Sequence, residues 1–176
     1  SSPSAIGSVE CYLAIGYSQM NENREKIFRY LSNHESLQVQ TFISRSITIY
    51  KSVSIGLGSI LFPSSIIEPN STIGKGSVLW FGGHICHHTN VSDFVWIAAN
   101  TTIGAQCTVE EKCFFGVSAT IPSNSIIDKK TLVTSGSISP TKTNPGNVVG
   151  RSGILTLTDD KGAFSVVESS DFIRFM

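Results

Sequence analysis

The sequence predicts an all-β fold in which short parallel strands wind into a triangular prism, with a small β-α unit ahead of it and an extension behind. Three features of the chain dictate this. Every sixth residue from Ile43 to Val133 is large and apolar, without a break. The position four residues further on is small or β-branched nearly throughout, from Ile47 and Val53 through Ser59, Ser65 and Ser71 to Ser125 and Thr131. Gly58, Asn70, Gly76, Asn100 and Asn124 punctuate the same rhythm, at places where a corner needs a left-handed backbone.

A helix repeats at about 3.6 residues and a strand at about 2, so a longer period belongs to neither alone. It suits a short strand followed by a corner, three of which close a triangular coil of eighteen residues. The large residue fills the interior and the small one tucks beside it. About five such coils, stacked roughly 4.8 Å apart, make a prism near 25 Å tall. The pattern resembles the hexapeptide-repeat left-handed parallel β-helix, an exception to the right-handed rule for parallel crossovers.

The elements follow in order. Residues 1–40 read as a β-α unit, with CYLAIG (11–16) a buried strand and NENREKIFRYLSNHE (21–35) a helix capped by Asn21, with Ile27 and Leu31 on one face. Residues 41–140 form the prism. Residues 141–176 comprise a linker, TKTNPGNVVGRSG, and a C-terminal hairpin of ILTLT and AFSVV around DDKG. Thirteen basic and thirteen acidic residues leave no net charge and no basic run, which excludes nucleic acid and anionic membrane as expected partners. No apolar run reaches the roughly 18 residues of a spanning helix, so no membrane insertion is expected. Cys11, Cys86, Cys107 and Cys113 form no CxxC pair, which fits reduced thiols and a cytoplasmic setting. The sequons at Asn70, Asn90 and Asn100 read as corner residues.

The coil period turns sequence into neighbours. Cys86 stacks between Glu68 and Gly104, His87 between Pro69 and Ala105, Trp96 between Val78 and Phe114, and Val117 between Ala99 and Ser135. FGGHICHHTNVSDF (81–94) holds three of the four histidines. His87 and His88 follow the inward Ile85 and fall at a corner, where side chains leave the prism and are free for chemistry. Glu68 either orients the His87 ring or is a solvated corner carboxylate.

From Ala14 to about Ser137 the chain resembles bacterial sugar acetyltransferases of the sialic acid O-acetyltransferase and UDP-amino-sugar N-acetyltransferase type. AIG, a helix and then the hexapeptide prism follow that family's order. HHTNVS (87–92) aligns with its His-acidic-Cys-x-Ile-Gly segment, which implies His87 as general base and places His88 on the acidic position and Ser92 on the glycine. IGAQCTVEEKCFFGVSATI (103–121) matches without a gap. It puts Ala105 where the family has a glycine amide facing the thioester oxygen, and Trp96 falls where a second histidine often lies near acetyl-CoA. The resemblance implies acetyl-CoA as co-substrate, no metal, a nucleotide-linked sugar as acceptor in cell-surface glycan biosynthesis, and a homotrimer with sites between subunits. It also implies that residues 1–40 are the last strand and helix of a Rossmann-like domain whose glycine cluster GSVECYLAIG lacks. Ala99, Val117, Ser135, Gly116 and Gly136 offer small side chains along a groove for the pantetheine arm, and a bulky residue at Gly116 is expected to fill it without disturbing the assembly.

Two other readings stand beside this one. His84, Cys86, His87 and His88 invite comparison with β-helical carbonic anhydrases, although four neighbouring side chains pointing in different directions do not build a tetrahedral zinc site in one chain. A non-catalytic trimeric scaffold is the other, prompted by His88, Ser92 and Trp96. Outward Phe62, Trp80 and Phe94 are costly to leave in water, and packing three prisms together is expected to cover them.

Overall fold

The computed structural model describes residues 8–151, 153–157 and 164–168. Residues 42–149 form a left-handed parallel β-helix of about 6 turns. Each turn contributes one two-residue strand to each of three faces. The first face runs from Phe42–Ile43 to Leu132–Val133, the second from Thr48–Ile49 to Thr120–Ile121, and the third from Ser54–Ile55 to Ile126–Ile127. Pairing is parallel with an eighteen-residue offset, as where Trp96 lies between Val78 and Phe114.

The six-residue rhythm has a plain physical cause. Its large residues, Leu61 through Val133, form one continuous interior column, nearly all fully buried. Ile43 at the open lower end is 43% exposed because no coil lies beneath it. The small position is buried too, and its side chains have a second task. Ser59, Ser65, Ser71, Ser77, Thr89 and Thr101 each donate a hydroxyl hydrogen bond to the carbonyl fifteen residues on, at 2.7–3.1 Å. A buried corner carbonyl left unpaired would cost about 1–3 kcal/mol, so a short hydroxyl suits the site better than a purely apolar group.

All five corner positions singled out from sequence have positive φ, from 56° at Asn100 to 74° at Gly58. Asn90 differs from its sister sequons, since it sits in the strand Asn90–Val91. The linker region also contains structure. Val148–Gly150 pairs in parallel with Leu132–Val133, because Val149 continues the interior column and is 2% exposed. Gly153–Leu157 and Phe164–Glu168 pair antiparallel to extend the first face, and the DDKG turn lies outside the described residues.

The N-terminal unit comprises β1 (Val9–Cys11), α1 (Glu22–Ser32) and β2 (Leu37–Val39), with β1 and β2 parallel. The strand therefore begins and ends earlier than CYLAIG suggests. Asn21 occupies the N-cap position but does not cap, since its φ is 63° and its buried side chain instead donates Nδ2 to the Cys113 carbonyl at 3.3 Å. Ile27 is 40% exposed, and the face of α1 toward the prism carries Arg24 and Phe28 instead. Arg24 is 1% exposed and its guanidinium donates to the carbonyls of Gly76, Leu13 and Ile15 at 2.5, 2.7 and 2.8 Å. Burial pushes Arg24 down to about 10, so it stays cationic at neutral pH. Ion pairs from Lys112 to Glu25 and Lys130 to Glu22, both 2.7 Å, clamp the helix to two further turns.

This docking changes the account of the outward aromatics. Phe94 is 6% exposed and meets Phe28 edge-on at 5.5 Å, while Phe62 and Trp80 stack at 4.6 Å, stay half-buried and face Leu13–Gly16 across a cavity. Of the three outward aromatics expected to need neighbouring prisms, Phe94 is covered by the chain itself, whereas Phe62 and Trp80 remain half-buried.

Candidate active site

Cys86, His87 and His88 form the corner between the strands His84–Ile85 of the second face and Asn90–Val91 of the third. His88 takes φ 57°, in a column of left-handed residues with Asn70 below and Gln106 above. That backbone turns both rings outward, and both residues are exposed. The rings stand nearly perpendicular, at 88°, with the two Nδ1 atoms 3.0 Å apart. His88 Nε2 lies 3.1 Å from the Asn70 side-chain amide. His87 is thus oriented through its ring by a second imidazole where the resembling family has an acid.

Glu68 takes neither role expected of it. One carboxylate oxygen accepts from the His87 backbone N–H at 2.9 Å and the other lies 2.8 Å from His84 Nε2. The His84 hydrogen bond, followed by that from His87, holds the Glu68 carboxyl below the usual carboxylate range. Glu68 therefore fastens the main chain of the corner and leaves the His87 ring to His88. Donor atoms of Glu68, His84 and Cys86 fall within 4.8 Å of one another. The zinc set considered above is divided by the fold, since His84 and Cys86 cluster with Glu68 while the histidine pair points away. Both carboxylate oxygens are already hydrogen-bonded, and burial followed by the Glu68 charge pushes the Cys86 thiol up. Hydrogen bonding by itself accounts for the cluster.

One corner away, where the first face turns into the second, a cavity of about 440 Å³ is lined by Tyr17, Trp80, Trp96, Ala98, Ala99, Phe114, Gly116, Val117 and Ser135. Four of the residues assigned to cofactor binding, Trp96, Gly116, Val117 and Ser135, meet there. Trp96 is a wall of this cavity, 9% exposed and edge-on to Tyr17 at 5.4 Å. It also borders a second, apolar cavity of about 330 Å³ closed by Leu13, Ala14, Ile15, Gly16 and Arg24. Gly136 (φ +66°) lies beside Ser135 but under the Arg151 guanidinium, outside the lining.

Ala105 stands above the histidine corner, where Gln106 N–H donates to the His87 carbonyl at 3.0 Å. Its own N–H donates to Ser123 Oγ at 3.1 Å, so an oxyanion at this amide would take the place of a serine hydroxyl. A Cβ at Gly116 would lie 2.5 Å from the Ser135 backbone nitrogen. That position is a packing contact between turns, so a bulky residue there disturbs the prism as well as the groove, contrary to expectation.

Nothing in the sequence marks Tyr17 or Arg24, and Trp80 reads there as an outward aromatic rather than as a wall of the groove. Tyr17 follows a segment read as strand and Arg24 sits in an ordinary polar helix pattern; only docking brings Tyr17 to the groove and Arg24 to the neighbouring cavity. Asn70 reads from the sequence as a corner residue, and the eighteen-residue period places it directly below His88.

No family profile and no curated protein matches the chain. Solved structures do. PerB from Caulobacter crescentus, in complex with CoA and GDP-perosamine, is 19% identical with a TM-score of 0.66, over 89% of this chain and 70% of that one. The acetyltransferase domain of PglB from Neisseria gonorrhoeae, in complex with acetyl coenzyme A, is 18% identical with a TM-score of 0.54, over 74% and 63%. AntD, an N-acyltransferase from Bacillus cereus in complex with dTDP and coenzyme A, is 13% identical with a TM-score of 0.57, over 74% and 82%. At these identities the likeness is one of fold, shared with hexapeptide-repeat sugar N-acetyltransferases.

Proposed function

We propose that the chain transfers an acetyl group from acetyl-CoA to an amino or hydroxyl group of a nucleotide-linked sugar, with His87 as general base. The observation that carries this is the pairing of an exposed, ring-oriented histidine with a small-residue groove one corner away. Solved proteins of the same fold that hold coenzyme A and a nucleotide or nucleotide sugar support it.

The groove fits a pantetheine arm: Ala99, Gly116 and Ser135 keep its floor low, and Tyr17, Trp96 and Phe114 give it an apolar wall. The co-substrate supplies the activated acyl group as a thioester. His87 removes a proton from the attacking amine or hydroxyl, which such a base accelerates by about 10²–10⁴-fold, and then holds that proton for the departing thiolate. An amide at Ala105, released from Ser123, stabilises the developing oxyanion.

The groove and the histidine corner are separated by the breadth of one face, about six residues, at most ~20 Å at 3.3 Å per residue. Three prisms about a threefold axis would bring the groove of one copy to the histidine corner of the next, which is why we favour a homotrimer. No helix among the described residues is long and apolar enough to cross a membrane, and the lack of charge bias and paired cysteines is in keeping with a cytoplasmic enzyme.

The test is free-thiol release from acetyl-CoA across a panel of nucleotide-linked amino sugars, beside isothermal titration with CoA. His87→Ala is expected to keep its fold and CoA affinity and to lose kcat by roughly 10²-fold or more, with His88→Ala costing less. A wild-type protein that neither binds CoA nor releases thiol overturns the proposal. Full turnover in His87→Ala moves the base elsewhere.

A further inference from the structure

His87 and His88 present like nitrogens to each other, Nδ1 to Nδ1 at 3.0 Å. One of the two must donate and the other accept, so their tautomers are linked. The link reaches Asn70, whose side-chain amide is 3.1 Å from His88 Nε2. The two ends of that amide are nearly isosteric but opposite in hydrogen-bonding sense. With Nδ2 toward His88, as the amide stands, His88 Nε2 accepts, His88 Nδ1–H donates to His87, and the neutral His87 ring carries its proton on Nε2. That His87 offers solvent a donor and no lone pair. With the amide turned over, Oδ1 accepts from His88 Nε2–H, His88 Nδ1 accepts from His87 Nδ1–H, and His87 Nε2 presents its lone pair outward.

We propose that Asn70 is a positioning residue that acts through His88 to decide which ring nitrogen of His87 carries the proton, the reactive form having the Asn70 amide oxygen toward His88. This rests on the reading of His87 as general base and adds the device that makes it one without a carboxylate. When His87 takes a proton on Nε2, its Nδ1–H remains donated to His88, so the imidazolium forms without rearrangement of the chain. The corner's geometry is held independently. Asn70 N–H donates to Ser52 Oγ at 2.8 Å, and His87 N–H to Glu68 at 2.9 Å. Glu68 and His84 are the titratable groups beside the pair on its own and the lower coil, with Cys86 adjacent. Ala105 and Gln106 face it from above without charge, and Lys51 lies two coils below.

The deciding measurement is long-range ¹H–¹⁵N correlation of the imidazoles in the full chain near pH 8, with Asn70→Asp and Asn70→Ala beside wild type. Asp offers only acceptors and tolerates the left-handed φ of 60°, so it locks the wiring without straining the corner. The expected result is His87 protonated on Nδ1 and His88 on Nε2 in Asn70→Asp and, with the Asn70 amide turned over from the orientation described above, in wild type, and a tautomer mixture in Asn70→Ala. In turnover, Asn70→Asp keeps kcat within about threefold but moves the acidic limb of the pH profile up by about one unit, since a carboxylate now faces the pair. Asn70→Ala loses about tenfold in kcat with KM unchanged. A His87 protonated on Nε2 in all three proteins overturns the inference, as do unchanged pH limbs and kcat in both variants. A protein without transferase activity sinks the functional reading alone, because the spectra still judge the relay.

Discussion

Replacing Arg24 with methionine tests whether the N-terminal segment is an integral wall of the groove. Methionine keeps most of the stem's packing and removes the donors. The guanidinium makes three hydrogen bonds of 2.5–2.8 Å to carbonyls of Gly76, Leu13 and Ile15. Bonds to a charged group contribute about 1.5–3 kcal/mol each, or roughly 5–9 kcal/mol together. Against this stands the desolvation of the cation, expressed in its fall from 12.5 to about 10, which costs roughly 3 kcal/mol. The segment should therefore lose roughly 2–6 kcal/mol of docking energy. Native-state hydrogen exchange reads this directly at the amides of Ala14 and Asn21, which bond to the Tyr12 and Tyr17 carbonyls. Their protection should drop by at least about thirtyfold while amides of the interior turns hold theirs. Trp96 emission should shift to the red as Tyr17 and the segment leave it. CoA affinity should fall with them, since Tyr17 lines the groove. Protection at Ala14 and Asn21 unchanged within about twofold would refute the claim that Arg24 fastens the segment.

Further outcomes follow from the same geometry. Val117 is 48% exposed on the groove rim, so Val117→Trp should weaken CoA binding by about tenfold or more and leave Tm unchanged. Gly116→Ala should instead cost about 1–3 kcal/mol of stability, read by urea unfolding, because its methyl group meets the Ser135 backbone. The Glu68 clasp should be fully present above the ordinary carboxylate pKa of about 4.3 and be lost as pH falls through the lower folded-state value. The His87 amide resonance reports this, and Glu68→Gln should abolish the transition. A wild-type transition at or above pH ~4.3 would contradict the clasp. Cys113, pushed up to about 12 by burial, and Cys107, 1% exposed, should resist a thiol reagent until the chain unfolds, whereas Cys11 reacts first. Rapid modification of Cys113 in the native protein would show that the prism opens there.

The prism was legible in the chain itself because its cause is periodic. A side chain that must point inward recurs once per strand-and-corner, and a stack of identical turns repeats every neighbour at a constant offset. Ile85, Asn70, Trp96 and Ser135 could therefore be placed, and the histidine corner recognised, by counting alone. The N-terminal unit has no such period. Arg24 looks like any helix-surface arginine, Ile27 like a core residue, and Asn21 like a cap. Their real roles follow from which face of the prism the helix meets, a contact between segments far apart in the chain. The same holds for hydrogen bonding within the site. Counting places Asn70 beneath His88 and Glu68 beneath Cys86. Only the three-dimensional course of a left-handed corner decides that Glu68 takes the main chain of His87 and leaves its ring to His88, because side-chain direction at a corner depends on backbone angles that no repeat encodes.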